Sequence, residues 1–396
     1  MTLTRKQEEG LRAAVEGYNM GLPYVCIAGY AGSGKSTLVK FIVAALNLDP
    51  EIDVCYVAYT GKAATVLKQK GCPNAMTAHK LLYWAKQQPD GRYIYKPKTS
   101  FEENYKLIVV DEVSMMPTAM WERLLSHHVF ILACGDPGQL PPINPEDNNH
   151  ILDKPHVFLD EIMRQAQDSE IIRLSMHIRE GKPLSSFEAA GAQVQIFNNN
   201  ALSLGMCNWA DQVICATNDT RNRINNWVRQ SKGYGEDPVE GDKIISLSNH
   251  WDFLSDIDDW VLTNGSIGTL GYHYYKKEFP PRFIHEGAVN ILYADMNFEN
   301  DKFSMVPIDY QCLKTGIPSL TSKEVYRIRQ MKMCPFECPY DFAYAYAITC
   351  HKFQGSEAPK ILAIEENFPF SKDEHKRWLY TAATRASEKL VIIRKD

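Results

Sequence analysis

Between Tyr24 and Ile42 the chain runs from a strand-length apolar stretch, Tyr24-Val25-Cys26-Ile27-Ala28, through Gly29-Tyr30-Ala31-Gly32-Ser33-Gly34-Lys35-Ser36 into an apolar helix-like segment. A glycine-rich turn in that setting lets successive backbone N–H groups curl around an anion at a helix N-terminus, where the helix dipole already favours negative charge. The string matches the phosphate-binding loop pattern in full, and its flanks supply the strand and helix that the pattern requires. Gly29, Gly32 and Gly34 permit the curl, Lys35 brings a point charge, and Ser36 offers a hydroxyl suited to Mg²⁺, with Thr37 beside it. A purely structural glycine turn accounts for the glycines but not for the whole string.

The rest of the first half repeats the same alternation. Val54-Cys55-Tyr56-Val57-Ala58, Leu107-Ile108-Val109-Val110 and Val129-Phe130-Ile131-Leu132-Ala133 are near-continuous apolar runs, which suit a parallel sheet covered by helices on both faces. Val213–Ala216, Ile361–Ile364 and Leu390–Ile393 bring the pattern back in the second half, predicting a second α/β domain. Two segments interrupt it. Residues 83–103, with Pro89-Asp90-Gly91 between Trp84–Gln88 and Arg92–Lys96, predict a β-hairpin insertion. Residues 241–339 read as short strands and turns, a small β-barrel insertion. The first domain is then 1–82 with 104–165, and the second 166–240 with 340–396. Surface decoration is the plain alternative for both insertions.

Composition sets limits. No run of about 18 apolar residues occurs, which argues against a membrane span, and the polar start Met1–Gln7 has no apolar region of the signal-peptide kind behind it. The ten cysteines are scattered, and Cys26, Cys55, Cys134 and Cys215 lie in apolar runs, as buried free thiols do. Cys334 and Cys338, with Cys312 and Cys350 at a distance, could be drawn as a zinc site, but a three-residue gap with no second tight pair is weak spacing for one. A net charge of −5 gives no support for DNA binding by bulk electrostatics. It leaves room for a groove of backbone amides, hydroxyls and aromatic rings, with Tyr83, Trp84, Tyr93, Tyr272, Tyr274 and Tyr275 as stacking candidates.

Two further strings follow buried strands. Asp111-Glu112 comes directly after Leu107–Val110: the first carboxylate can hold Mg²⁺, the second can polarise an attacking water. Two carboxylates capping the next helix are the bland alternative. Gly135-Asp136-Pro137-Gly138-Gln139-Leu140-Pro141-Pro142 places a glutamine, Gln139, where it can hydrogen-bond a γ-phosphate and register its loss.

Asp111-Glu112-Val113-Ser114-Met115, together with the Gln139-Leu140-Pro141-Pro142 loop, resembles the superfamily 1B DNA helicases of the RecD-like and Dda-like, compact phage-type branch. The resemblance extends over nearly the whole chain. It implies that Gln7 in Leu3–Gln7 reads adenine, and that Thr60 and Lys62, then Thr77 and His79, face DNA. It makes Arg164 in Glu161–Gln165 and Arg385 in Tyr380–Ala386 two γ-phosphate fingers. Thr217 and Asn218, then Thr349, His351 and Lys352, become second-domain DNA contacts, with Gln354, Gly355 and Glu357 closing the nucleotide site. The hairpin becomes a strand-separating pin bearing Tyr93 and Tyr95. Tyr59 departs from the pattern, standing where many relatives carry proline.

The implied fold is α/β: two RecA-like domains with parallel sheets, a hairpin insertion in the first and an SH3-like barrel in the second. The implied activity is ATP- and Mg²⁺-dependent translocation on single-stranded DNA, 5′ to 3′, with unwinding at single-strand/duplex junctions. A monomer in the cytoplasm (of the host, if phage-encoded), working with single-strand-binding or replication and recombination proteins, completes the expectation. A P-loop switch ATPase and a DNA-binding assembly protein without unwinding activity are the other classes open to such a chain.

Overall fold

A computed structural model describes residues 3–87, 93–142, 145–163, 168–248, 250–254, 261–262, 264–279, 288–298, 301–321, 323–325, 328, 338–366 and 371–395. The chain divides into two compact units. One comprises Met1–Tyr83, Pro97–Leu202 and Phe353–Asp396, the other Trp84–Lys96 and Ser203–Lys352.

The first unit is built on a six-stranded sheet in the order Ala75–Thr77, Val54–Ala58, Leu107–Val110, Phe130–Gly135, Tyr24–Gly29, Val157–Leu159. Every ladder in it is parallel. Alternate residues of a strand point to opposite faces, so a continuous apolar run feeds two cores at once. Val25 and Ile27 pack with Leu38, Ile42 and Leu132 on one face. Cys26 packs with Cys55, Ile108, Ile131 and Trp121 on the other. Burial pushes the Cys26 and Cys55 thiols up to about 12, as expected of inert core cysteines. The same unit carries a second parallel ladder, in which Ala386–Arg394 lies between Ala358–Ile364 and Val194–Asn198.

Helix starts follow side-chain chemistry. Thr4 opens Arg5–Asn19 with a capping box completed by Gln7, and Ser371 does the same for Lys372–Ala383 through Glu374. Thr60, Thr77 and Thr217 each cap a helix by accepting the backbone N–H three residues on.

The second unit pairs Gln212–Cys215 in parallel with Ala347–Thr349. It also holds a five-stranded sheet in the order Lys302–Asp309, Val289–Asn297, Ile267–Phe279, Lys243–Ser246, Phe342–Tyr344, antiparallel throughout. Its core gathers Leu270, Leu292, Phe303, Val306, Ile308 and Phe342. Four of these five strands fall within 241–339, the segment read from sequence as a barrel insertion. Tyr83–Gln87 and Tyr93–Pro97 form a two-stranded sheet, and the Pro89-Asp90-Gly91 turn lies outside the described residues.

Candidate active site

Three neighbouring parallel strands of the first unit end on the loops singled out by sequence. Tyr24–Gly29 leads into the phosphate loop, Phe130–Gly135 into the Gln139 loop, and Leu107–Val110 into Asp111-Glu112. Ligands of open α/β sheets bind at such carboxyl ends. Gly32 and Gly34 both sit at φ +79°, a left-handed conformation that glycine adopts without penalty. A Cβ on Gly34 would also lie 2.4 Å from Gln7 Nε2. The Lys35–Ala45 helix starts at Gly34 with no side-chain cap, so its first-turn amides are left to an anion. Lys35 Nζ donates to the carbonyls of Gly29 (2.6 Å) and Tyr30 (3.1 Å), and the buried Ser33 Oγ has no partner among the described residues.

Gln7 is buried at the base of this loop. Its Nε2 donates to the Ser33 carbonyl at 3.2 Å, while its Oε1 accepts the Thr4 N–H at 3.0 Å. In this geometry the residue braces the loop and caps its own helix.

Glu112 adopts φ +51°, unusual for a residue with a side chain. Such backbone strain is concentrated at functional sites. Gln139 Nε2 donates to Glu112 Oε1 at 3.3 Å, while Glu112 Oε2 and Gln139 Oε1 are buried without partners among the described residues. Burial, and next the Glu112 charge, push the Asp111 carboxyl up, with Lys35 opposing them. Lys35, Ser36, Thr37, Asp111 and Glu112 line a cavity of about 780 Å³, together with Gly355, Glu357 and Arg385 from the C-terminal part of the same unit.

Arg385 is buried, its guanidinium held by the Thr381 carbonyl at 3.1 Å, the Ser356 carbonyl at 3.2 Å and Thr384 Oγ1 at 3.3 Å. Glu357 pairs with Lys70 at 2.8 Å. Gln354 turns elsewhere and donates to the Leu140 carbonyl at 2.8 Å. Arg164 lies outside the described residues. The sequence reading passed over Tyr380, Thr381 and Asp136, which join these loops. They stood inside the strings quoted for Arg385 and Gln139, and only tertiary pairing sets them apart.

The residues expected to face DNA are placed as follows. Thr60 and Thr77 are spent as helix caps, and Lys62 Nζ stands 5.0 Å from the Phe353 ring. The His79 ring lies between Tyr59 (5.9 Å) and Tyr83 (6.2 Å), and burial lowers its pKa. In the second unit Thr217 caps the helix that Asn218 begins, and Thr349 ends its strand. His351 is half-buried with a lowered pKa, again from burial. Lys352 Nζ donates to Asn264 Oδ1 at 2.8 Å and the Leu247 carbonyl at 3.3 Å. Tyr93 and Tyr95 lie on one hairpin strand. Of the stacking candidates, Trp84 and Tyr272 are exposed, while Tyr275 stacks on Tyr293 at 4.6 Å. Among the described residues no group of three or more His, Cys, Asp or Glu side chains forms a metal centre. None of the described helices is long and apolar enough to cross a membrane.

Fold and site define the class: a P-loop nucleotide-binding fold on a parallel α/β sheet. The AAA domain family matches residues 2–199, and the UvrD-like helicase C-terminal domain matches residues 344–393. The chain belongs to this AAA-domain family. It is 26% identical over 367 residues to the ATP-dependent DNA helicase dda of Enterobacteria phage T4, covering 82% of each chain. It is 32% identical over 187 residues to the ATP-dependent RecD2 DNA helicase of Deinococcus radiodurans, covering 45% of this chain and 25% of that protein. Its fold is like that of the Bacteroides Pif1 helicase solved with ADP-AlF3 and ssDNA, with a TM-score of 0.52 at 18% identity over 99% of this chain and 92% of that one.

Proposed function

We propose that the protein is an ATP-dependent DNA helicase that moves 5′ to 3′ on single-stranded DNA and separates strands at a junction. The observation that carries this reading is the cavity itself: Lys35, Ser36, Asp111 and Glu112 from the N-terminal half share its wall with Arg385 from the C-terminal end. A phosphate loop alone marks a nucleotide binder. Adding an acidic pair touched by Gln139 and a C-terminal guanidinium gives the charge pattern of phosphoryl transfer to water.

Lys35 and the first-turn amides hold the β- and γ-phosphates. Ser36 and Asp111 supply a hydroxyl and a carboxylate oxygen, a donor set that suits Mg²⁺. Bound there, the ion would neutralise phosphate charge. Glu112 orients and deprotonates the attacking water, Gln139 reports the γ-phosphate, and Arg385, with Arg164, stabilises the charge that develops in the transition state. Gln7 adds adenine contact to its bracing of the loop, and Gln354, Gly355 and Glu357 complete the closing side.

The division proposed from sequence is 1–82 with 104–165 and 166–240 with 340–396 as motor domains, 83–103 as pin and 241–339 as barrel-type insertion, whereas packing groups 166–202 and Phe353–Asp396 with the first unit. Thr60, Lys62, Thr77 and His79 in one set, and Thr217, Asn218, Thr349, His351 and Lys352 in another, are the proposed strand contacts. Hydrolysis changes the grip of the two sets in turn. A cytoplasmic monomer acting with single-strand-binding or replication and recombination proteins completes the proposal.

ATP turnover with and without single-stranded DNA tests the reading. Stimulation of about tenfold or more is expected of a DNA-driven motor, since the strand completes the closed state. Equal rates in both conditions would assign the chain to the switch ATPases instead.

A further inference from the structure

The loop that carries Gln139 is held on both sides by side chains from the C-terminal part of the first unit. Tyr380 Oη donates to Asp136 Oδ2 at 2.6 Å, and Asp136 Oδ1 accepts the Gly138 N–H at 2.9 Å. Beyond Gln139, Thr381 Oγ1 accepts the Leu140 N–H at 2.9 Å and Gln354 Nε2 donates to the Leu140 carbonyl at 2.8 Å. Gln139 is therefore strung between two anchored residues, with its carboxamide on Glu112.

The same Tyr380 oxygen reaches the phosphate loop, where it accepts the Ala31 N–H at 2.9 Å. Its neighbour Tyr30 is also fastened, edge-on to Phe158 at 4.9 Å with the Arg179 guanidinium 3.5 Å from its ring centre. A Cβ on Gly138 would lie 2.9 Å from Tyr380 Cε1, so the loop approaches this ring as closely as glycine allows. Burial pushes both the Asp136 carboxyl and the Tyr380 phenol up. Filling the core is not what the hydroxyl does. A phenylalanine would occupy the same space, whereas this hydroxyl is engaged as donor and as acceptor where unmade hydrogen bonds are costly.

We infer that Tyr380 is a positioning residue for hydrolysis, whose hydroxyl locks the phosphate loop to the Gln139 loop so that Gln139 and Glu112 keep register with the γ-phosphate. This rests on the reading of the cavity as an ATPase site. A loop displaced by a fraction of an ångström misplaces the attacking water, and such errors lower turnover more than binding.

Tyr380→Phe, Asp136→Asn and the double variant test it, by DNA-stimulated hydrolysis and by hydrogen exchange of the full chain with and without ATP. Tyr380→Phe is expected to lower kcat about tenfold while KM for ATP changes less than about threefold. The double variant should lose no more than the worse single one, since both break one chain of hydrogen bonds. Amide exchange in Tyr380→Phe should rise together in 29–33 and 136–140. A kcat within about twofold of the parent, multiplicative losses, or exchange that rises in only one loop would overturn the inference. If the parent protein itself shows no DNA-stimulated hydrolysis yet both loops loosen together, the helicase reading fails and the lock stands.

Discussion

Gln139 Nε2 lies 3.3 Å from Glu112 Oε1, so the two loops that leave the neighbouring strands Phe130–Gly135 and Leu107–Val110 meet side chain to side chain. Each partner keeps one buried oxygen without a hydrogen bond, Gln139 Oε1 and Glu112 Oε2. Buried polar atoms are seldom left unmatched. Both atoms are acceptors, so under the proposed roles a water donating its protons to them would supply the missing partners.

Glu112→Gln removes the base with little change of volume. Nucleotide affinity is expected to stay within about threefold, while DNA-stimulated kcat falls by about 10² or more. Equilibrium binding of a fluorescent ATP analogue beside steady-state turnover separates the two. Collapse of binding would place Glu112 in the metal site instead.

Arg385→Ala should lower kcat far more than it weakens ATP binding, by about 10² or more, because a finger acts chiefly in the transition state. Arg164→Ala should do the same. Equal losses in kcat and in affinity would contradict that role for either arginine.

The second unit carries a pH-sensitive group. Burial, and next the Asp309 charge, push the Asp341 carboxyl up to about 6. Its folded pKa thus exceeds its unfolded value of about 4, so its favourable contribution is complete below that value and disappears as pH rises through the folded pKa. Asp341→Asn should therefore melt higher than the parent protein at pH 8, by about 2 °C or more, with the gain vanishing near pH 4. Thermal melts across that range check the sign, and a gain at low pH alone would reverse the assignment.

Replacing residues 86–95 with a short Gly-Ser turn tests the hairpin as a wedge. ATP hydrolysis stimulated by single strands should persist, and duplex separation should fall by about tenfold or more, because a translocating motor needs a rigid obstacle to split base pairs. Parallel loss of both would mean that the hairpin supports the fold. Unwinding that survives would move the wedge to the 241–339 insertion.

Legibility in the sequence followed how local each signal is. Gly29–Ser36 was readable because its chemistry is its spacing, and continuous apolar runs such as Leu107–Val110 announced strands buried on both faces. Gln7 was readable only in part. Its match to a family string suggested adenine, whereas Thr4-Arg5-Lys6-Gln7 is also a capping box, and the structure uses it as one. Tyr380 and Asp136 are 244 positions apart, and nothing in either local string indicates that they touch. Lys352 shows the same limit: nothing in its string points to Asn264 and Leu247, on which its ammonium lies here.

The most direct test of the helicase reading is strand separation on forked duplexes bearing either a 5′ or a 3′ single-stranded arm, with ATP and Mg²⁺ present. The account predicts that the 5′-armed duplex is separated and the 3′-armed one stays paired. Lys35→Ala, which removes the cation facing the phosphates but leaves the proposed track intact, should bind single strands and separate neither. Separation of the 3′-armed duplex alone would reverse the polarity. Failure to separate either, with ATP consumed equally in the presence and absence of DNA, would contradict the account.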